Sequence, residues 1–165
     1  MPKININSSL ELQDYLSLQG QVWTFSEVTT TPMDLHIQNT TTDKILIIFS
    51  YSLKNKGTKN LNFEVYENRL LPTKEDDLCQ VNKEHYGKSC PFLIERRSGG
   101  PTTAGAIKFV EQISSSQQFK GGTDSTSYIK INPGDTIYWK MTSSDFNVSF
   151  RMVVGAVDED WLTWL

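Results

Sequence analysis

The sequence predicts an all-β chain, an antiparallel β-sandwich of jelly-roll or immunoglobulin-like type with about eight strands. The first observation is sidedness between Ile129 and Val154. Ile129 and Ile131, then Ile137, Trp139 and Met141, then Val148, Phe150, Met152 and Val154 recur at every second position, the mark of strands packed on one face. This stretch reads as three consecutive antiparallel strands, 127–132, 136–142 and 147–154. The second observation is turn chemistry between those runs. Pro133-Gly134-Asp135 suits a type II turn, with proline setting φ at one central position and glycine taking the φ > 0 position. The third is spacing: apolar runs recur roughly every ten residues with Gly, Pro, Ser, Thr and Asn between them, as in sandwiches and barrels.

Residues 9–18 fit either a short helix or a strand. Ser8-Ser9-Leu10-Glu11 resembles a capping box, and Leu12, Tyr15 and Leu16 fall at helical spacing, yet Leu10 and Leu12 also alternate. Residues 21–27 (QVWTFSE) form a strand with Trp23 and Phe25 inward, and residues 33–38 another with Leu35 and Ile37 inward. His36 then faces the other way, toward solvent or a hydrogen-bond partner. Residues 44–53 (KILIIFSYSL) are apolar on both faces in their first half, which predicts a central strand between two covers. Tyr51 is expected to point with Phe49. Leu61, Phe63 and Val65 continue the pattern, so 44–66 reads as a hairpin with a long, mobile, basic tip carrying Lys54, Lys56 and Lys59.

Residues 69–89 are polar and aperiodic, long for a connection within one domain. Residues 91–97 read as a short strand, 98–105 (SGGPTTAG) as a flexible loop and 106–113 (AIKFVEQI) as a strand. Residues 114–118 and 121–127 read as flexible and polar. No repeat of fixed period is visible. The chain is expected to be a single domain over 1–165, with an N-terminal segment at 1–20 and a docking tail at 158–165. In that tail Asp158-Glu159-Asp160 precede Trp161, Leu162, Trp164 and Leu165. Trp161, Trp164 and Leu165 share one face of a helical turn. Such a surface needs covering, either by the chain's own sandwich or by a neighbouring subunit.

Composition narrows the function. With 165 residues, 38% hydrophobic and 21% charged, the chain can bury a core. A net charge of −3 argues against nucleic-acid binding, which needs a basic surface. The Lys54–Lys56–Lys59 and Arg96–Arg97 clusters read as solvated loop and edge residues. No apolar run reaches the length of a membrane span, and the N-terminus has no signal-peptide core. The expected setting is a cytosol, left by lysis or inside a particle. Asn7, Asn39 and Asn147 begin glycosylation patterns of little weight in that setting.

Candidate chemistry is sparse. Cys79 and Cys90 bracket His85 without the paired spacing of zinc sites. They read as reduced thiols, or as a disulfide contributing on the order of 3 kcal/mol under oxidising conditions. A Cys–His nucleophile would lack an orienting carboxylate nearby. Glu75-Asp76-Asp77 and Asp158-Glu159-Asp160 lack the spaced carboxylates of a calcium loop and read as solvated acids. No phosphate-binding glycine loop or nucleophile elbow occurs. No enzyme activity and no cofactor are expected.

Two functional expectations follow. One is a non-enzymatic structural or attachment module of an assembled particle, a phage or viral virion accessory (capsid decoration or tail-associated) protein. It would be a homo-oligomer or bind neighbouring subunits through loops and arms, with Trp161, Leu162, Trp164 and Leu165 as partner-binding residues. The alternative is a carbohydrate- or ligand-binding sandwich, with Tyr66 and Tyr138 on outward faces as stacking platforms.

Overall fold

The computed structural model describes residues 9–32, 34–67, 82–83, 92–97, 106–121 and 129–158. Helix α1 (Ser9–Leu18) is followed by β1 (Val22–Thr29), β2 (Asp34–Gln38), β3 (Lys44–Asn55) and β4 (Leu61–Glu67). Then come β5 (Asn82–Lys83), β6 (Leu93–Arg97), β7 (Ala106–Ile113) and β8 (Gln118–Gly121). The chain continues through β9 (Ile129–Ile131), β10 (Thr136–Thr142) and β11 (Val148–Asp158). The fold is the expected antiparallel sandwich, with more strands than the eight anticipated, because short pieces such as β8 escape alternation.

One sheet has the order β5-β1-β11-β3-β8, with β9 also paired to β3; the other has the order β6-β2-β10-β4-β7. The pairings β4·β7, β3·β8, β3·β9, β2·β10 and β1·β11 trace one long antiparallel ribbon. That ribbon rolls until β11 meets β3 and β10 meets β4. This is jelly-roll winding. It corrects two expectations of local pairing. Strands β9, β10 and β11 are not neighbours, because each crosses to the opposite sheet, and β3 and β4 likewise lie in different sheets and form no hairpin. Alternation reports which side of a strand is buried, not which strand lies beside it.

Between the sheets Trp23, Phe25, Phe63, Trp139 and Phe150 pack with Leu35, Ile37, Val65 and Met152. Trp139 meets Phe150 edge-on at 5.5 Å and Phe63 at 5.3 Å. Complete burial of aromatic side chains supplies the largest single apolar gains in such a core.

Strand β3 is central, as its double-sided apolar first half implied. Its second cover is α1, whose Leu12 and Leu16 pack on Val22, Ile45, Ile47, Phe49, Val153 and Val157. Residues 9–18 are thus helical. Two leucines four apart match one helix face and this apolar outer sheet surface. The helix ends where Gly20 takes φ 67°. Gly20 N donates to Ser17 O at 2.9 Å and Gln21 N to Leu16 O at 2.8 Å, the paired bonds of a glycine C-cap.

The strand also carries a bulge. Val153 opposes Ser50 and Val154 opposes Ile48, which leaves Phe49 as the extra residue. The bulge reverses sidedness, so Phe49 packs under the helix while Tyr51 joins the inter-sheet core. The expectation that these two rings share a side is therefore corrected. Among the described residues no helix is long and apolar enough to cross a membrane.

Candidate functional site

The three loops at the far end of β3 converge on Asn55. Its backbone N donates to Gln117 O at 3.0 Å, and Ser116 N donates to Asn55 O at 2.9 Å. Its side-chain amide donates to Lys59 O at 2.7 Å and to Ile113 O at 3.0 Å, while Oδ1 accepts from Gly57 N at 2.9 Å. Ser115 Oγ donates to Gly57 O at 2.7 Å. One buried amide therefore ties the 56–60 loop to the β7–β8 turn.

The 143–147 loop is bound to the same assembly. Asp145 Oδ2 accepts from both Thr58 N and Thr58 Oγ1 at 2.7 Å, and Lys56 N donates to Asn147 O at 2.7 Å. Gly57 is required here, because a Cβ at that position would collide with the Asp145 carbonyl oxygen. The tip expected to be mobile is thus braced on three sides.

Between these loops runs an open groove of about 520 Å³. Thr58, Lys59, Asn60 and Asn62 line one side, and Thr142, Ser143 and Ser144 the other. Asn62 Oδ1 accepts from Gln112 Nε2 at 3.4 Å, and Ser143 Oγ and Asp145 N share a 3.3 Å contact. The Thr58 backbone and hydroxyl bonds, aided by Lys59, hold the Asp145 carboxyl below its ordinary range. The lining is hydroxyl, amide and one ammonium, suited to hydrogen-bonding a polar surface.

The predicted stacking residues lie elsewhere. Tyr66 and Tyr138 do lie on the outward face of their sheet, as alternation implied. However, Tyr138 is 0% exposed and Tyr66 8%, and the rings sit 6.5 Å apart. Neither presents an open face to a sugar, which corrects their assignment as exposed platforms. Tyr138 Oη donates to Asp34 Oδ2 at 2.6 Å, and Asp34 Oδ1 accepts from Met141 N at 3.2 Å. His36 shares this face and is buried rather than solvent-facing. Alternation could not distinguish an outward face in water from an outward face under cover.

Asn39 is also buried and its amide donates to Lys44 O and Ile131 O, so it is closed to glycosylation. Asp158, read as a solvated acid, ends β11 and pairs with Lys44 Nζ at 2.7 Å. Trp161, Leu162, Trp164, Leu165, Cys79, His85, Cys90 and the 75–77 acids lie outside the described residues. Among the described residues no group of three or more His, Cys, Asp or Glu side chains could hold a metal ion.

In the sequence the 143–145 turn and the lysine loop stand far apart. Nothing in the sequence signalled that Asp145 would bond to Thr58, 87 residues away. No protein-family model, curated protein or solved structure matches this chain.

Proposed function

We propose that the chain is a non-enzymatic structural and attachment module of an assembled particle, a phage or other viral virion. Its braced loop end faces the attachment partner, and its terminal arms hold neighbouring subunits. The observation that carries this reading is the bracing itself. Loops fixed by a buried amide and a tied carboxylate present their polar groups without an ordering cost on binding. Binding residues commonly sit on loops positioned by a rigid scaffold. Jelly-roll winding is shared with capsid and lectin domains, an analogy of fold alone.

Sedimentation and particle incorporation test the proposal, comparing the full chain with a form lacking residues 159–165 and with a Lys59→Glu, Asn60→Arg loop-end variant. Loss of assembly on truncation supports the arm. Loss of attachment in the loop-end variant, with assembly intact, supports the loop end. If both variants assemble and attach like the full chain, the reading falls.

A further inference from the structure

The groove lining specifies more than a contact surface. We infer that the groove between the 56–60 and 143–147 loops is a saccharide site selective for sugars that carry a carboxylate. The inference rests on the reading of this end as the attachment surface and names the chemistry of its partner.

Seven side chains line the groove: two threonines, two serines, two asparagines and one lysine. Asn60, Thr142 and Ser144 are exposed residues of the lining and carry amide and hydroxyl groups. An asparagine amide offers donors and an acceptor side by side, and a hydroxyl rotates to either role. Vicinal sugar hydroxyls present the same mixed pairs, directly or through water. A groove of about 520 Å³ falls within the usual range for small-ligand sites, but its lining is far more polar than most. The occupant should be correspondingly rich in hydroxyl groups.

Charge sets the selectivity. Lys59 supplies the only ammonium of the lining. Asp145, engaged by the Thr58 N–H and hydroxyl, is not among the lining residues, and Lys59 is the least of the groups that hold its carboxyl low. A carboxylate entering the groove therefore meets a cation and no lining acid. The 56–60 backbone is fixed before binding, since Asn55 holds Lys59 O and Gly57 N. No aromatic ring lines the groove, so each site binds weakly, and many copies on one particle would supply avidity.

The test is an amide NMR titration of the full chain with digalacturonate, using the neutral digalactose as the matched control. Saturable shifts at Asn60, Asn62, Thr142 and Ser144, stronger for digalacturonate, are expected. Lys59→Gln should weaken digalacturonate binding about three- to fivefold and digalactose binding by less than about twofold, while Lys59→Arg should retain the preference. Equal binding of the two sugars overturns the carboxylate selectivity. Absence of loop-end shifts with either sugar well above millimolar concentration overturns the saccharide site. If sugars fail while the loop-end variant still blocks attachment, the saccharide inference falls and the attachment reading stands.

Discussion

Asn39 and Asn55 make matching sets of hydrogen bonds at opposite ends of β3. Each side-chain amide donates to two carbonyls, Lys44 O and Ile131 O for Asn39, Lys59 O and Ile113 O for Asn55. Each Oδ1 accepts from the N–H two residues on, Thr41 or Gly57. Each backbone exchanges two bonds with a tight turn, Gly134 and Asp135 in one case, Ser116 and Gln117 in the other. These are two of the three corners where the ribbon crosses between sheets. Asn39→Ala and Asn55→Ala should each cost about 2–4 kcal/mol, because buried carbonyls lose their donor. Asp replacements keep the acceptor but lose the donor, and should cost at least as much. Urea midpoints at unchanged slope measure this; a cost below about 1 kcal/mol would show that the backbone closes the corners unaided.

The matched turns differ in one respect. Gly134 carries φ 81° and Ser116 carries φ 64° at the equivalent position. A left-handed serine is strained where glycine is not. Ser116→Gly should therefore raise stability by about 0.5–1 kcal/mol, whereas Gly134→Ala should lower it. Thermal melts of the pair should move in opposite directions.

Gly155 makes room for the helix. A Cβ there would lie 2.5 Å from Phe49 Cε2 and 3.3 Å from Leu16 Cδ1. Gly155→Ala should cost about 1–3 kcal/mol by overpacking. Leu16→Ala should cost about 2–5 kcal/mol through the opposite defect, a cavity. Because the two side chains share one space, the double variant should be less destabilised than the sum. Strict additivity would show that the helix does not press on this glycine.

Asp145 links the loop end to pH. Its carboxyl is held below the ordinary 3.8 by the Thr58 bonds, so the unfolded chain binds a proton first as pH falls. The stabilisation is complete above the unfolded value, erodes as pH drops through 3.8, and is gone below the folded value. Asp145→Asn should flatten this acid limb of the stability curve. Carbon-detected titration of the Asp145 carboxyl should place its midpoint below that of an exposed aspartate; a midpoint at or above 3.8 would contradict the two Thr58 bonds.

Tyr138 reports on the covered face. Tyr138→Phe removes the donor to Asp34 and should cost about 1–3 kcal/mol, because a buried carboxyl oxygen loses that donor. In the folded protein Tyr138 should also resist nitration by tetranitromethane. Ready nitration would return it to the role of an exposed ring.

Much of the sandwich was legible in the residues. The inward sets Trp23 and Phe25, Leu35 and Ile37, Ile137, Trp139 and Met141 all lie between the sheets. The 133–134 turn formed as its chemistry required, with Asp135 N donating to Asn132 O at 3.0 Å. These features are local, because a proline, a glycine and a period of two act within a few bonds.

The candidate site was not legible in the same way. Lys59, Ser143 and Ser144 stood in separate loops, and Asn55 fell within the lysine-rich tip. Their meeting depends on which strands lie side by side. The bulge at Phe49 was equally silent, since one inserted residue reverses a strand's sidedness without changing its composition.

By itself, then, the sequence determined which face of most strands turns toward the inter-sheet core and where the chain turns, because those depend on side-chain polarity and backbone torsion alone. Only the tertiary structure decided the rolled pairing of the ribbon, the cover over Tyr138 and the braced loop end. Each of those follows from contacts between residues tens of positions apart, whose cost in chain entropy is recovered only when the whole core closes.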